Sequence, residues 1–292
     1  MFRSLQFKFF VAIAWTISRI PVHWYPGLSR ILLLMASPFM GKERKKLQLN
    51  VEKVYGLPAH SSFARSFEKQ VFQHQAVSFM ETVSSILNPR SRLEIRNFSA
   101  LEQRMQQLLT KGQGVIVITG HIGSWELICR AVTEASGQTF YALAKPSKSP
   151  AFSQFLENLR SNMQTKVLWT DRKSILKDMM QTLRQNSVLG FVMDQKPEGR
   201  VGPGVDFLGL KTEFVSGPAK LALRFQAPVI AIFCMREGPM TYRVCMETVL
   251  DGSEEGMDEV VATQKMAVAI ENAIRLYPEQ WVWNYKRWRF AN

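Results

Sequence analysis

From Gly112 onward the chain alternates short β-rich apolar runs with helical ones, and this alternation limits its fold more than any other feature. The run Val115–Thr119 precedes a helical pattern over 124–135, 139–143 precedes 150–163, and 166–169 precedes 173–185. Further apolar runs cover 188–193 and 229–233, and helical patterns cover 216–225 and 257–276. Alternation of this kind predicts an α/β fold with a mainly parallel central sheet flanked by helices. Ahead of it, 42–55 and 63–87 read as helices. In the second, Phe63, Phe67, Val71, Phe72, Phe79 and Val83 recur at the spacing of one apolar helix face. There is no internal repeat. With 292 residues and 46% hydrophobic composition, the chain can bury a full core.

The run Val115-Ile116-Val117-Ile118-Thr119 leads directly into Gly120-His121-Ile122-Gly123-Ser124-Trp125-Glu126. Glycines on both sides of His121 permit a tight turn and close backbone approach. Ser124 is placed to cap the following helix, with Glu126 in its first turn, where negative charge suits the helix dipole. In open α/β sheets ligands bind beyond the carboxyl ends of strands, which is where His121 falls. Five residues along one helix rotate the direction by roughly 140°, so His121 and Glu126 can meet only if His121 lies in the preceding turn. A carboxylate on one ring nitrogen would fix the tautomer, leaving the other to take a proton from a substrate hydroxyl. That chemistry suits acyl transfer from a thioester to an alcohol without a protein nucleophile. Backbone N–H groups at the helix start are the expected oxyanion donors. On the same strand-end logic, Lys145 closes the run 141–144 and Asp194 closes 190–193. An acid closing an apolar strand must find water, a partner or a substrate.

Thirty-seven Lys and Arg oppose twenty-four Asp and Glu, a net charge of +13. Such an excess attracts polyanions: lipid headgroups, nucleic acid or acidic proteins. Its placement favours lipid. Within the first 46 residues Arg3, Lys8, Arg19, Arg30, Lys42, Arg44, Lys45 and Lys46 oppose Glu43 alone, interleaved with apolar stretches over 5–18 and 31–40. Neither stretch has the roughly 20 residues of a helical span. Arg19-Ile20-Pro21-Val22-His23-Trp24 offers no small-residue cleavage site of a signal peptide. The expectation is an interfacial anchor of two short helices over 1–40, with Trp15, Trp24 and Tyr25 at headgroup depth and a single tilted span as the alternative, followed by a catalytic domain over 41–292. Cys129, Cys234 and Cys245 form no CxxC pattern and read as buried thiols in a reducing setting. His23, His60, His74 and His121 lack metal-ligand spacing, so neither metal nor cofactor is expected.

With these residues in place, the sequence resembles the lipid A biosynthesis acyltransferase family, within the lysophospholipid acyltransferase superfamily, over nearly the whole chain. The Gly120–Glu126 block resembles the family's H-x4-D/E motif, with Trp125 before the acid. Leu159-Arg160-Ser161-Asn162 and Asp171-Arg172-Lys173 resemble its basic block, and Asp194-Gln195 its DQ at a strand end. Phe207-Leu208-Gly209, Ser216-Gly217-Pro218-Ala219 and Ala227-Pro228-Val229 resemble the run that follows. Tyr277-Pro278-Glu279-Gln280-Trp281-Val282-Trp283, then Lys286-Arg287-Trp288, resembles its ending. The resemblance implies transfer of a fatty acyl chain to a glycolipid hydroxyl at the cytoplasmic face of the inner membrane. The implied donor is an acyl carrier protein or coenzyme A, and the implied acceptor a lipid A precursor. His121 and Glu126 carry over as the catalytic dyad, and Arg160 and Asp194 as supports of the site or acceptor. The chain departs from the pattern at Lys145, where the family usually has Arg, and at Lys196, where it often has an acid.

Other readings are weaker. In 204–212 a Walker A loop is nearly spelled, but Leu210 intrudes before Lys211 and puts the phosphate cradle out of register. No G-x-S-x-G is present. The aromatic and basic tail from Trp281 to Phe290 suits single strands in principle, and equally suits packing on the fold or contact with headgroups. Packing on the fold and contact with headgroups is the preferred reading, and nucleic acid is not an expected partner. The alternatives to a lipid A acyltransferase are an acyltransferase for a glycerophospholipid or other glycolipid, or a non-enzymatic lipid- or nucleic-acid-binding module on the same fold.

Overall fold

A computed structural model describes residues 2–197, 202–254, 256–285 and 287–288, with side chains from Leu5 onward. Arg3's side chain, Lys286 and Phe290 therefore lie outside the described residues. The chain opens with four helices, α1 (Phe2–Arg19), α2 (Tyr25–Ala36), α3 (Gly41–Tyr55) and α4 (Ser62–Leu87). Strand β1 (Glu94–Arg96) and helix α5 (Phe98–Leu109) lead into the alternating part. There β2 (Val115–Thr119), α6 (Trp125–Ser136), β3 (Phe140–Ala144), α7 (Pro150–Ser161), β4 (Thr165–Trp169), α8 (Ile175–Arg184) and β5 (Val188–Val192) follow one another. A hairpin of β6 (Gly204–Phe207) and β7 (Leu210–Glu213) comes next, then α9 (Gly217–Phe225), β8 (Val229–Gly238), β9 (Thr241–Leu250) and α10 (Glu259–Leu276).

The α/β expectation holds. Seven strands form one sheet in the order β1-β9-β8-β2-β5-β3-β4, parallel throughout except for the antiparallel β8–β9 pair. Strands β1 and β9 and the hairpin are additions to the predicted set. The near-Walker segment is that hairpin, with Lys211 Nζ 3.0 Å from Asp206 Oδ1.

Strand β2 is buried along its whole length, as an inner strand covered on both faces must be. The pleat sends Ile116 and Ile118 into one core with Leu189, Phe191, Met266 and Ile270, and Val115 and Val117 into another with Leu127, Val132, Ile230 and Ile232. The three predicted helix starts with capping side chains are local in origin: Ser61, Ser149 and Asp258 accept the amides of Ala64, Phe152 and Val261.

The amino-terminal segment has two faces. Helices α1 and α2 meet at a bend of 103°, and among the described residues no single helix is long and apolar enough to cross a membrane. The inner face of α1 places Phe7, Phe10, Ala14 and Ile17 against Val83 and Leu87 of α4 and Phe152 and Phe155 of α7. The outer faces leave Leu5, Phe9, Trp15, Trp24, Ile31, Leu34, Met35 and Phe39 exposed. Tyr25, expected at headgroup depth, is instead buried, its hydroxyl donating to Ile17 O at 2.9 Å. At the other end of the chain, Trp281, Trp283, Arg287 and Trp288 are buried, so the described part of the aromatic tail packs on the fold.

Candidate active site

The site forms where β2 and β5 lie side by side. They are parallel neighbours with Thr119 opposite Val192, and Met193 N donates to Thr119 O at 3.0 Å. Equal steps beyond the two strand ends bring His121 and Asp194 together. His121 Nδ1 lies 2.7 Å from Asp194 Oδ1, and the His121 amide donates to Asp194 Oδ2 at 2.9 Å. Trp281 Nε1 donates to the same Oδ2 at 2.7 Å. Asp194 is 3% exposed, so these donors replace water around a buried carboxylate.

The turn that carries His121 is fixed from several sides. Ile122 N donates to Gly120 O at 2.8 Å, Gly123 N to Gln280 O at 3.0 Å and Ser124 N to Cys234 O at 2.9 Å. Val282 N donates to His121 O at 2.9 Å, so the segment after α10 is tied along the turn. The glycines are needed here. At Gly123, where φ is +60°, a Cβ would lie 2.2 Å from Cys234 O, and at Gly120 it would press on the Asp194 carboxyl at 3.3 Å. Ser124 does not cap α6 through its side chain; its hydroxyl meets Thr82 Oγ1 of α4 at 2.7 Å. The amides of His121, Ile122, Gly123 and Ser124 each already donate to protein acceptors.

Glu126 occupies the first turn of α6 as expected, but it is not the acid on His121 Nδ1. Its carboxylate is held in a two-pronged pair by Arg160 of α7, with Nε to Oε2 at 2.8 Å and Nη2 to Oε1 at 2.7 Å. The physical reason is reach. Tertiary pairing of β2 with β5 brings an in-register carboxylate to the imidazole, while α6 directs Glu126 toward the guanidinium on α7. Arg160 thus joins the site through Glu126.

His121, Trp125, Leu143, Lys145, Arg160, Gln195 and Pro218 are among the residues lining a cleft of about 550 Å³ at this sheet edge. Lys145 is therefore on the same edge as His121, as a parallel sheet requires. The Trp125 and His121 rings pack edge-to-face, with centroids 5.3 Å apart. Gln195 Nε2 lies 3.4 Å from His121 Nε2, on the side away from Asp194. A carboxylate can only accept, so Nδ1 carries the proton and Nε2 is left as the acceptor.

Burial disfavours the imidazolium, but the Asp194 carboxylate outweighs it by charge and hydrogen bond. Glu126 adds to this effect and Arg160 opposes it, so His121 is raised above its ordinary 6.5. Burial likewise disfavours the Asp194 carboxylate, yet His121 and Trp281 hold it below its ordinary 3.8. Burial pushes the thiol of Cys129, on the inner face of α6, up to about 12, which suits packing and not nucleophilic attack. Residue spacing by itself marks neither Gln195 nor Trp281 as part of the site. Gln195 adjoins a chosen residue, and Trp281 was visible only as part of the terminal block.

A family model described as bacterial lipid A biosynthesis acyltransferase matches residues 2–290. Among curated proteins, the chain is 26% identical over 182 residues to a phosphatidylinositol mannoside acyltransferase of Mycobacterium tuberculosis, covering 62% of this chain and 56% of that protein. A phosphatidylinositol mannoside acyltransferase of Mycolicibacterium smegmatis is 25% identical over 182 residues, 62% of this chain and 58% of that protein. The chain thus matches a little over half the length of these relatives.

Proposed function

The chain belongs to the bacterial lipid A biosynthesis acyltransferase family, and from that premise we propose that it moves a fatty acyl chain from an acyl thioester to a hydroxyl of a glycolipid. The observation that carries this reading is the buried Asp194 carboxylate 2.7 Å from Nδ1 of a cleft-lining His121, leaving Nε2 as the proton acceptor. The acceptor hydroxyl donates its proton to Nε2 while its oxygen attacks the thioester carbonyl. Asp194 stabilises the imidazolium that forms. The tetrahedral intermediate then collapses, the carbon–sulfur bond breaks, and the imidazolium returns the proton to the departing thiolate. An ester and a free thiol result. Arg160 and Lys145 supply positive charge for the oxyanion at the cleft wall, and Glu126 holds Arg160 in place. His121 and Asp194 are thus the proposed base and its orienting partner. Glu126, expected as the orienting acid, is reassigned to Arg160.

A lipid A precursor is the acceptor the family description favours. The relatives named for phosphatidylinositol mannoside support a second reading, in which another phosphorylated glycolipid accepts the chain. In both readings the donor is an acyl carrier protein or coenzyme A. The enzyme works at the cytoplasmic face of the inner membrane, with residues 1–40 as its lipid-facing segment. The exposed apolar outer faces of α1 and α2, beside basic side chains, support that placement. Mass spectrometry of lipids from cells with and without the gene tests the proposal. One glycolipid class should lose an acyl chain, which names the acceptor; an unchanged lipid profile would contradict the reading.

A further inference from the structure

A second concavity lies away from the cleft, between α2, α3 and α4. It measures about 330 Å³ and is lined by Leu33, Leu34, Met40 and Phe72, with Arg30, Arg44 and Lys69 among its polar residues. It shares no lining residue with the catalytic cleft. Its charges are not balanced. Glu68 is the acid in its lining; it faces Arg44 at 3.2 Å and accepts from Gln48 at 2.9 Å. Arg30 and Lys69 are exposed, and neither has an acidic partner among the described residues. The groove is continuous with the most exposed apolar side chains of the segment. Leu34 both lines it and is 74% exposed, with Met35 at 69% and Phe39 at 85% just beyond.

An apolar floor with unbalanced cations at its rim matches one kind of occupant, an acyl chain that carries an anionic head. A soluble polar partner would leave the exposed Leu34, Met35 and Phe39 without apolar contact, and a neutral lipid would leave Arg30 and Lys69 unanswered. We propose that this groove holds an acyl chain of an anionic membrane phospholipid, with the headgroup phosphate between Arg30 and Lys69. The site anchors and orients the protein and takes no part in the transfer. The inference rests on the proposed placement of residues 1–40 at the membrane surface, not on the chemistry at His121.

The experiment uses the full chain with phosphatidylcholine vesicles containing a phosphatidylglycerol that bears a diazirine on one acyl chain. After illumination, labelled peptides should centre on Leu33, Met40 and Phe72. The same probe with a phosphatidylcholine head should label them weakly. Removing both rim cations in an Arg30→Gln/Lys69→Gln variant should lower this labelling roughly thirtyfold, from about a fivefold contribution of each cation near an anionic surface. Leu33→Trp, which fills the groove, should abolish it while acyl transfer in detergent continues. Equal labelling from both probes, or labelling unchanged in both variants, would overturn the groove while leaving vesicle binding intact. A wild-type chain that transfers acyl groups in detergent yet binds no vesicles would overturn both the groove and the membrane placement, but not the acyltransferase reading. Groove labelling as expected, in a chain whose His121→Ala variant transfers acyl groups at the wild-type rate, would support the groove and overturn the proposed chemistry at His121.

Discussion

Asp194→Asn and Glu126→Gln separate two roles that the spacing H-x4-E merges. His121 must be neutral to accept a proton, so activity rises with pH through its pKa, which lies above 6.5 because of Asp194. In Asp194→Asn the acid limb of kcat/KM should move to lower pH and the rate should fall by roughly 10²-fold or more. Glu126→Gln should move the limb less, because its charge acts on His121 only from a distance, and should weaken the use of Arg160. Trp281→Phe removes one donor to Asp194 and should give about a tenfold loss in kcat with KM unchanged, as a hydrogen bond to a charged group contributes roughly 1.5–3 kcal/mol. A pH–rate series on these three variants checks the set; equal limb shifts for Asp194→Asn and Glu126→Gln would refute the assignment. The sequence marks both His121 and Asp194, each as a residue closing an apolar strand. It does not pair them, because β5 follows β3 and β4 in the chain but sits between β2 and β3 in the sheet. Only the order of strands puts Asp194 on the imidazole, and one sequence does not display it.

Elements with continuous apolar runs were legible; those whose burial alternates were not. Strands β2 and β5 read clearly because inner parallel strands are apolar on both faces. Strand β9 alternates buried and partly exposed residues and includes Arg243 and Glu247, while the hairpin carries Asp206, Lys211 and Glu213. Neither offers a run to find. Helix α4 was found by its apolar face, yet it also buries charge. Glu81 is paired with Arg236 at 2.8 Å and accepts from the Tyr242 hydroxyl at 2.7 Å, linking α4 to β8 and β9. His74 on the same helix is held down to about 4 by burial, with Arg236 adding to the effect. The unfolded chain therefore takes up a proton between pH 6.5 and about 4 that the folded chain refuses. The contribution of His74 to stability is full above 6.5 and falls as pH drops through that window, by roughly 3 kcal/mol at 1.36 kcal/mol per pH unit. Denaturant unfolding at several pH values should show this slope in the wild type and a flatter one in His74→Gln. An unchanged slope would contradict it.

At the scale of the molecule, the proposed chemistry and the proposed attachment occupy different places. The sheet edge with His121 is built from the strand ends and sealed by the segment after α10, whereas the exposed apolar faces and the second groove belong to α1, α2 and their supports. The net charge of +13 and the amino-terminal cations were plain in the sequence; that α1 also packs on α4 and α7 was not, since an amphipathic helix does not state which face finds protein and which finds lipid. The central claim, general-base acyl transfer by His121, is tested most directly with purified His121→Ala. Its rate of transfer of a labelled acyl chain from an acyl thioester to a glycolipid extract is compared with that of the wild type. The predicted result is a loss of roughly 10²–10⁴-fold with an unchanged melting temperature. Transfer at the wild-type rate would contradict it.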